Sequence, residues 1–114
     1  MSSKPVVRRA RADQDLLEAV EHYLQEASDT AALRFVDAVE RAFRHIARHP
    51  ASGSTRYALE LELPGIRCWP VKRFPYLIFY VEREDHIDVW RLLLDQRDIP
   101  KWLHGDSDEG RRGS

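Results

Sequence analysis

The 114-residue sequence predicts an α+β fold: an N-terminal strand, then an antiparallel helical hairpin packed on one face of an antiparallel β-sheet, in the order β-α-α-β-β-β-β. Three observations predict it. Residues 13–49 carry apolar side chains at three-and-four spacing in two blocks, the mark of helices with one buried face. The join between those blocks, Ser28-Asp29, is so short that the two helices must fold back on each other. From Tyr57 to Leu94 the pattern changes to alternating and continuous apolar runs interrupted by turn residues, which reads as a sheet to cover the hairpin.

In chain order, Pro5 to Ala10 holds Val6 and Val7 between a proline and basic residues, a short strand suited to a sheet edge. Leu16, Leu17, Val20, Tyr23, Leu24 and Ala27 then form one helix face, with Asp13 and Asp15 favouring the start through capping and the macrodipole. This helix should run to about Glu26. Ser28 and Asp29 are good caps for a second helix, whose inward stripe is Ala32, Phe35, Val36, Val39, Phe43 and Ile46. Pro50 ends it near His49. On its outer side Arg34, Arg41, Arg44 and Arg48 alternate with Asp37 and Glu40, as expected of a solvated face with intrahelical ion pairs.

Ala51 to Arg56 is a polar loop by composition. Tyr57 to Leu63 alternates apolar and polar residues and is expected to be a half-buried strand. Pro64-Gly65 forms a turn into Ile66–Val71, where Pro70 argues for an edge position or a bulge. Phe74 to Val81, FPYLIFYV, is the most apolar run and should be central, covered on both faces. Glu84-Asp85 turns the chain into the last strand, His86 to Leu94. A helical turn is expected around Pro100 to Leu103. Residues 5–103 thus form a single domain, and residues 104–114, without apolar side chains, a disordered tail.

The totals exclude several function classes. With 18 Lys plus Arg against 19 Asp plus Glu, the net charge of −1 gives no global attraction to nucleic acid or an anionic membrane. The single cysteine rules out an intrachain disulfide, and one Cys with five scattered His is poor material for a zinc site, so no metal and no cofactor are expected. No segment approaches the roughly 20 apolar residues of a membrane span, and the N-terminus lacks a signal-peptide core. The expectation is a soluble, cytoplasmic protein.

At Gly65-Ile66-Arg67, Phe74-Pro75-Tyr76, Ile78-Phe79-Tyr80 and Arg97-Asp98-Ile99-Pro100 the sequence resembles the ParE branch of the RelE/ParE toxin superfamily, over a span from about Val6 to Leu103. The resemblance implies the same α+β fold. It also implies the toxin half of a type II toxin-antitoxin system, neutralised by a ParD-like antitoxin with a ribbon-helix-helix N-terminus and a disordered C-terminal segment. Two activities occur in the superfamily. RelE-type members cut messenger RNA on the ribosome, whereas ParE-type members poison DNA gyrase.

RNA cleavage through the 2′-hydroxyl needs a proton acceptor, a donor to the leaving oxygen and cationic stabilisation of the phosphate. Where RelE-type toxins carry a central-strand arginine, this sequence aligns Tyr76, and a phenol supplies neither the fixed charge nor the bidentate fork of a guanidinium. The preceding strand, Cys68-Trp69-Pro70-Val71, lacks the RelE lysines. Arg67, Lys72 and Arg73 are cationic neighbours, and Arg97 alone matches a RelE catalytic arginine, in the ParE context Arg-Asp-Ile-Pro. His86 follows a turn and reads as a solvated histidine rather than a base, while Cys68 within a strand reads as core. No catalytic residue is assigned.

Function then falls to surfaces. An apolar groove along the sheet and hairpin is expected to receive the antitoxin's C-terminal segment, with Tyr57, Trp69, Tyr80 and Trp90 as aromatic anchors. For each of the four, plain core packing is the competing reading. By resemblance, the C-terminal exit should contact gyrase through Arg97, Asp98 and Trp102. The competing reading pairs Arg97 with a nearby carboxylate and seats Trp102 on the sheet edge. A toxin that keeps antitoxin binding but has lost its target is a third possibility.

Overall fold

The computed structural model describes residues 3–95 and Ile99. Arg97, Asp98 and Trp102, the expected turn at 100–103 and the tail 104–114 lie outside the described residues. The elements are β1 (Val6–Arg8), α1 (Ala10–Glu26), α2 (Asp29–Arg48), α3 (Arg56–Leu61), β2 (Ile66–Pro70), β3 (Tyr76–Glu82) and β4 (Ile87–Leu94). The sheet order is β1-β4-β3-β2. Strands β2, β3 and β4 form an antiparallel meander, while β1 runs parallel to β4. A parallel pair needs a crossover, and here everything between β1 and β4 supplies it.

Local chemistry accounts for most boundaries. Ser28 Oγ accepts from the Ala31 amide at 3.0 Å, so α2 starts on a true side-chain cap with almost no loop after α1. Pro50 follows the end of α2 and opens a short 3₁₀ turn, Pro50–Ser52. Gly65, at φ 84°, turns the chain into β2. The expected edge strands are both edges: β1 at one side, and β2, which ends on Pro70, at the other. Central β3 is buried from both sides, as its continuous apolar run requires.

One expected element is overturned. Tyr57 to Leu63 is not a strand, because Arg56–Leu61 forms the short helix α3 with Glu62 in the left-handed region as its C-cap. Alternating Leu and Glu satisfies a two-residue period, yet Ala, Leu and Glu are also strong helix formers. Tyr57, Ala58 and Leu61 supply a one-turn apolar stripe against the sheet, and Leu59 points to solvent. The meander therefore has three strands rather than four.

The sheet separates two apolar layers. On one face Phe35, Val39, Ala42 and Ile46 of α2 and Ala12 and Ala19 of α1 pack against Tyr76, Ile78, Tyr80, Ile87, Val89 and Leu92. On the other, Ile66, Cys68, Phe79, Val81 and Leu93 are covered by α3 and by Ile99. In α1 the small residues Ala12 and Ala19 take the buried positions, and Leu17 and Leu24, expected inside, stand in solvent. No helix among the described residues is long and apolar enough to cross a membrane.

Candidate functional site

The alternation of strand side chains decides where each aromatic candidate lies. Trp69 faces the helical hairpin at the β2 edge, half-buried, with its indole stacked on His45 at 4.1 Å. Trp90 is half-buried on the opposite, α3 face, beneath the Arg9 guanidinium at 4.4 Å. Tyr57 is on that same face, edge-on to Phe79 at 5.3 Å. Tyr80 is 0% exposed and packs toward the hairpin. The four do not line one groove, since two lie on each face of the sheet and Tyr80 has no surface to offer a partner.

Tyr80 instead fastens the loop after α2. Its hydroxyl donates to Pro50 O at 2.7 Å and accepts from the Gly53 amide at 3.1 Å. Burial pushes this phenol's pKa up, against the lowering effects of the Gly53 bond and the nearby Arg67 charge. Gly53 lies so close that an added Cβ would overlap the Tyr80 hydroxyl and meet Arg67 Cβ at 3.0 Å. Gly53→Ala is therefore expected to cost about 2 kcal/mol, by overpacking and loss of the hydroxyl's two bonds. Urea unfolding checks this, with unchanged stability as the contrary result.

The positions that bear on nuclease chemistry are also structural. Tyr76 is buried, with its ring 5.2 Å from Phe35 and 6.4 Å from Tyr23. Arg67 Nη1 donates to Ala51 O at 3.1 Å and to Gly53 O at 2.9 Å, which commits this cation to the loop. Lys72 and Arg73 are exposed in the β2–β3 turn, Arg73 at φ 73°. His86 Nδ1 donates to Asp85 Oδ1 at 2.7 Å, and that hydrogen bond lowers the Asp85 pKa. Burial pushes the Cys68 thiol up, though Arg56 and Ser54 oppose the shift, so a reactive thiolate is disfavoured.

His45 and His49 stand one turn apart at the end of α2, a spacing that would suit two metal ligands. His45 Nε2, however, meets Ser52 Oγ at 3.0 Å. No group of three metal-ligating side chains exists among the described residues.

Two charge clusters escaped the sequence reading. Arg91, inside the apolar run of β4 and 3% exposed at its side chain, forms a bidentate pair with Asp15 of α1: Nε to Oδ2 at 2.7 Å and Nη2 to Oδ1 at 2.8 Å. Asp15 Oδ2 also accepts the Leu92 amide at 3.0 Å. Beside this pair runs an open groove of about 520 Å³, walled by Arg11, Gln14, Glu18 and His22 of α1 and floored by Pro75, Tyr76 and Leu92–Leu94. A buried charge in a strand always demands a partner. The signal that could have shown it is an arginine inside the apolar run VWRLLL, though that run does not name the partner.

Asp88 is the second centre. Its carboxylate accepts from Arg9 Nε at 3.1 Å, Arg83 Nη2 at 2.9 Å and Trp90 Nε1 at 3.2 Å. Burial by itself would raise its pKa, but the hydrogen bonds from Arg9 and Arg83 and the Arg9 charge outweigh it and hold the carboxyl below its ordinary value. The stability this group contributes is thus present above the unfolded value of about 3.9 and is lost as pH falls through the folded value. Urea titrations between pH 7 and pH 3 should show an acid loss that is smaller in Asp88→Asn; identical pH dependence would contradict the assignment.

Over residues 6–99 the chain matches the family model described as the ParE toxin of the type II toxin-antitoxin system parDE. No curated protein matches the sequence. Among solved structures, it is similar to one from the chromosomal ParDE TA system of P. aeruginosa. The TM-score there is 0.68 at 20% identity, covering 81% of this chain and 96% of that chain, a likeness of fold. The family match takes in the four strands and three α-helices of the described residues, and the chain belongs to the ParE toxin family of type II toxin-antitoxin systems.

Proposed function

We propose that this toxin acts by protein–protein contact, poisoning DNA gyrase in the cytoplasm, and that a ParD-like antitoxin neutralises it. The observation that carries the non-nuclease reading is Tyr76. It occupies the position aligned with the central-strand arginine of RelE-type toxins, and it is buried among Tyr23, Phe35 and Phe74 rather than presented to a substrate. Arg67, the cation of strand β2, is spent on two loop carbonyls. Neither residue is placed to stabilise a phosphate.

Gyrase contact is assigned, by resemblance, to Arg97, Asp98 and Trp102. Trp69 at the hairpin edge and Tyr57 and Trp90 on the α3 face are proposed antitoxin anchors; the buried Tyr80 supports them from within. The test incubates purified toxin with gyrase, supercoiled DNA and ATP, and in parallel with translating ribosomes. Accumulation of cleaved DNA with intact messenger RNA is the expected result. Cut transcripts would transfer the protein to the nuclease class, and no effect on gyrase at saturating toxin would overturn the gyrase assignment.

A further inference from the structure

Positive charge is concentrated in one stretch of a chain whose net charge is −1: residues 41–81 hold seven Lys and Arg against two Glu. Both Glu belong to α3 and its C-cap, on the far face of the sheet, where Glu60 pairs with Arg56 at 3.4 Å. The other cations gather along one side of the molecule. Edge strand β2 runs beside α2, with Trp69 stacked on His45 at 4.1 Å and, past the turn, Phe74 against Phe35 at 5.2 Å. The turn that exposes Lys72 and Arg73 lies between those two contacts. Arg41 and Arg48 stand four residues before and three after His45, so they share its side of the helix.

The arginines of α2 are largely uncommitted. Arg41 meets Asp37 at 3.1 Å in an exposed contact, whereas Arg44 and Arg48 have no ion pair or hydrogen bond among the described residues. Capping does not occupy them either. The His49 amide reaches His45 O at 2.8 Å, the Lys4 amide Ala47 O at 3.3 Å and the Ser52 amide His49 O at 3.0 Å.

We propose that this side of the molecule, Arg41, Arg44 and Arg48 of α2 with Lys72 and Arg73 of the β2–β3 turn, binds the sugar-phosphate backbone of duplex DNA held by the toxin's target. This rests on the gyrase reading above and adds a DNA contact to the protein contact. Guanidinium forks match phosphate oxygens. Successive arginines rise by about 4.5 and 6 Å along the helix axis, a row that suits a chain of phosphates better than one small anion. Trp69 is half-buried and already stacked on His45, so the surface offers charge rather than a platform for unpaired bases. An acidic protein segment would want apolar anchors beside the charges, but the exposed Val7, Leu17, Leu24, Leu33 and Leu59 all lie outside residues 41–56 and β2. A second copy would set like charge against like. Residues 104–114 carry three carboxylates and two arginines, too small a net charge to hold the face.

The test titrates full-length toxin into a fluorescent DNA duplex of about 24 base pairs and arbitrary sequence, at salt from about 50 to 200 mM. Anisotropy should show binding that weakens steeply with salt. Arg44→Gln with Arg48→Gln should weaken it at least tenfold at low salt and flatten the log–log salt slope by about two, with Tm unchanged, while Arg56→Gln on the α3 face should stay within twofold. The same double variant should need at least fivefold more toxin to trap cleaved DNA on gyrase. Absent duplex binding, or binding that the double variant retains, would overturn the proposal and leave the gyrase reading intact. So would poisoning at an unchanged dose by a double variant that no longer binds duplex. Equal or tighter binding of a poly-glutamate peptide would assign the face to an acidic protein segment and overturn the DNA assignment. Duplex binding as expected, with no poisoning by the wild type, would overturn the gyrase reading and with it the placing of this face beside gyrase.

Discussion

Replacing Asp15 with alanine is expected to destabilise the protein by about 3–5 kcal/mol, the range for removing one partner of a buried ion pair. The substitution strips Arg91 of a bidentate carboxylate and leaves the Leu92 amide without its acceptor. Against a total stability of about 5–15 kcal/mol for a domain of this kind, such a loss would leave a large unfolded fraction. The double substitution Asp15→Leu with Arg91→Met should recover most of it, because two apolar side chains avoid the desolvation that the pair suffers. Urea unfolding of the wild type, both single variants and the double variant gives the coupling energy. A cost under about 1 kcal/mol for Asp15→Ala, the size of a solvated surface pair, would mean that the pair is hydrated in solution.

Phe35→Ala should cost a similar amount, about 3–5 kcal/mol, from lost transfer energy plus the cavity left behind. The ring is 0% exposed and is the meeting point of three elements. Tyr23 of α1 lies at 5.1 Å, Phe74 before β3 at 5.2 Å and Tyr76 of β3 at 5.2 Å. These rings fix one another's orientation, so the site has little freedom to collapse around the missing phenyl. Phe43, half-buried under Arg8, serves as the comparison and should cost less than half as much when truncated. Thermal unfolding of the two variants distinguishes them; equal losses would argue against Phe35 as the central residue of the helix-side core.

Both predictions concern contacts between residues far apart in sequence, and they mark the division between what could be read from the chain and what could not. The hairpin was legible because apolar spacing, the Ser28 cap and the Pro50 stop are local signals that no tertiary contact contradicts. Central β3 was legible for the same reason, since an unbroken apolar run has to be covered on both faces. α3 was misread because its six residues satisfy a strand period and a helix propensity equally well, and the sheet it covers decided between them. In α1, Leu17 and Leu24 belong to the apolar pattern, but the close approach of α1 favours Ala12 and Ala19 at the buried positions.

The candidate sites divide in the same way. Tyr80 looked like an anchor because a tyrosine on a strand has an apolar ring and a polar tip; the tip found Pro50 and Gly53 inside the protein. A β-bulge shifts the register between Phe79 and Tyr80, pairing Arg91 with Phe79 and Val89 with Tyr80, so alternation along β4 holds as far as Trp90 and restarts after it, with Val89 and Leu92 both on the hairpin face.

By itself, the sequence determined the fold class, the helical hairpin, the central strand and a resemblance to ParE toxins, because each depends on residue spacing or on short motifs. Only the tertiary structure decided which charges meet and which aromatics keep a surface. Those features depend on groups about 80 residues apart, such as Asp15 with Arg91 and Arg9 with Asp88. A one-dimensional pattern shows that a buried charge needs a counter-charge, but only the packing of α1 on β4 supplies the one it has.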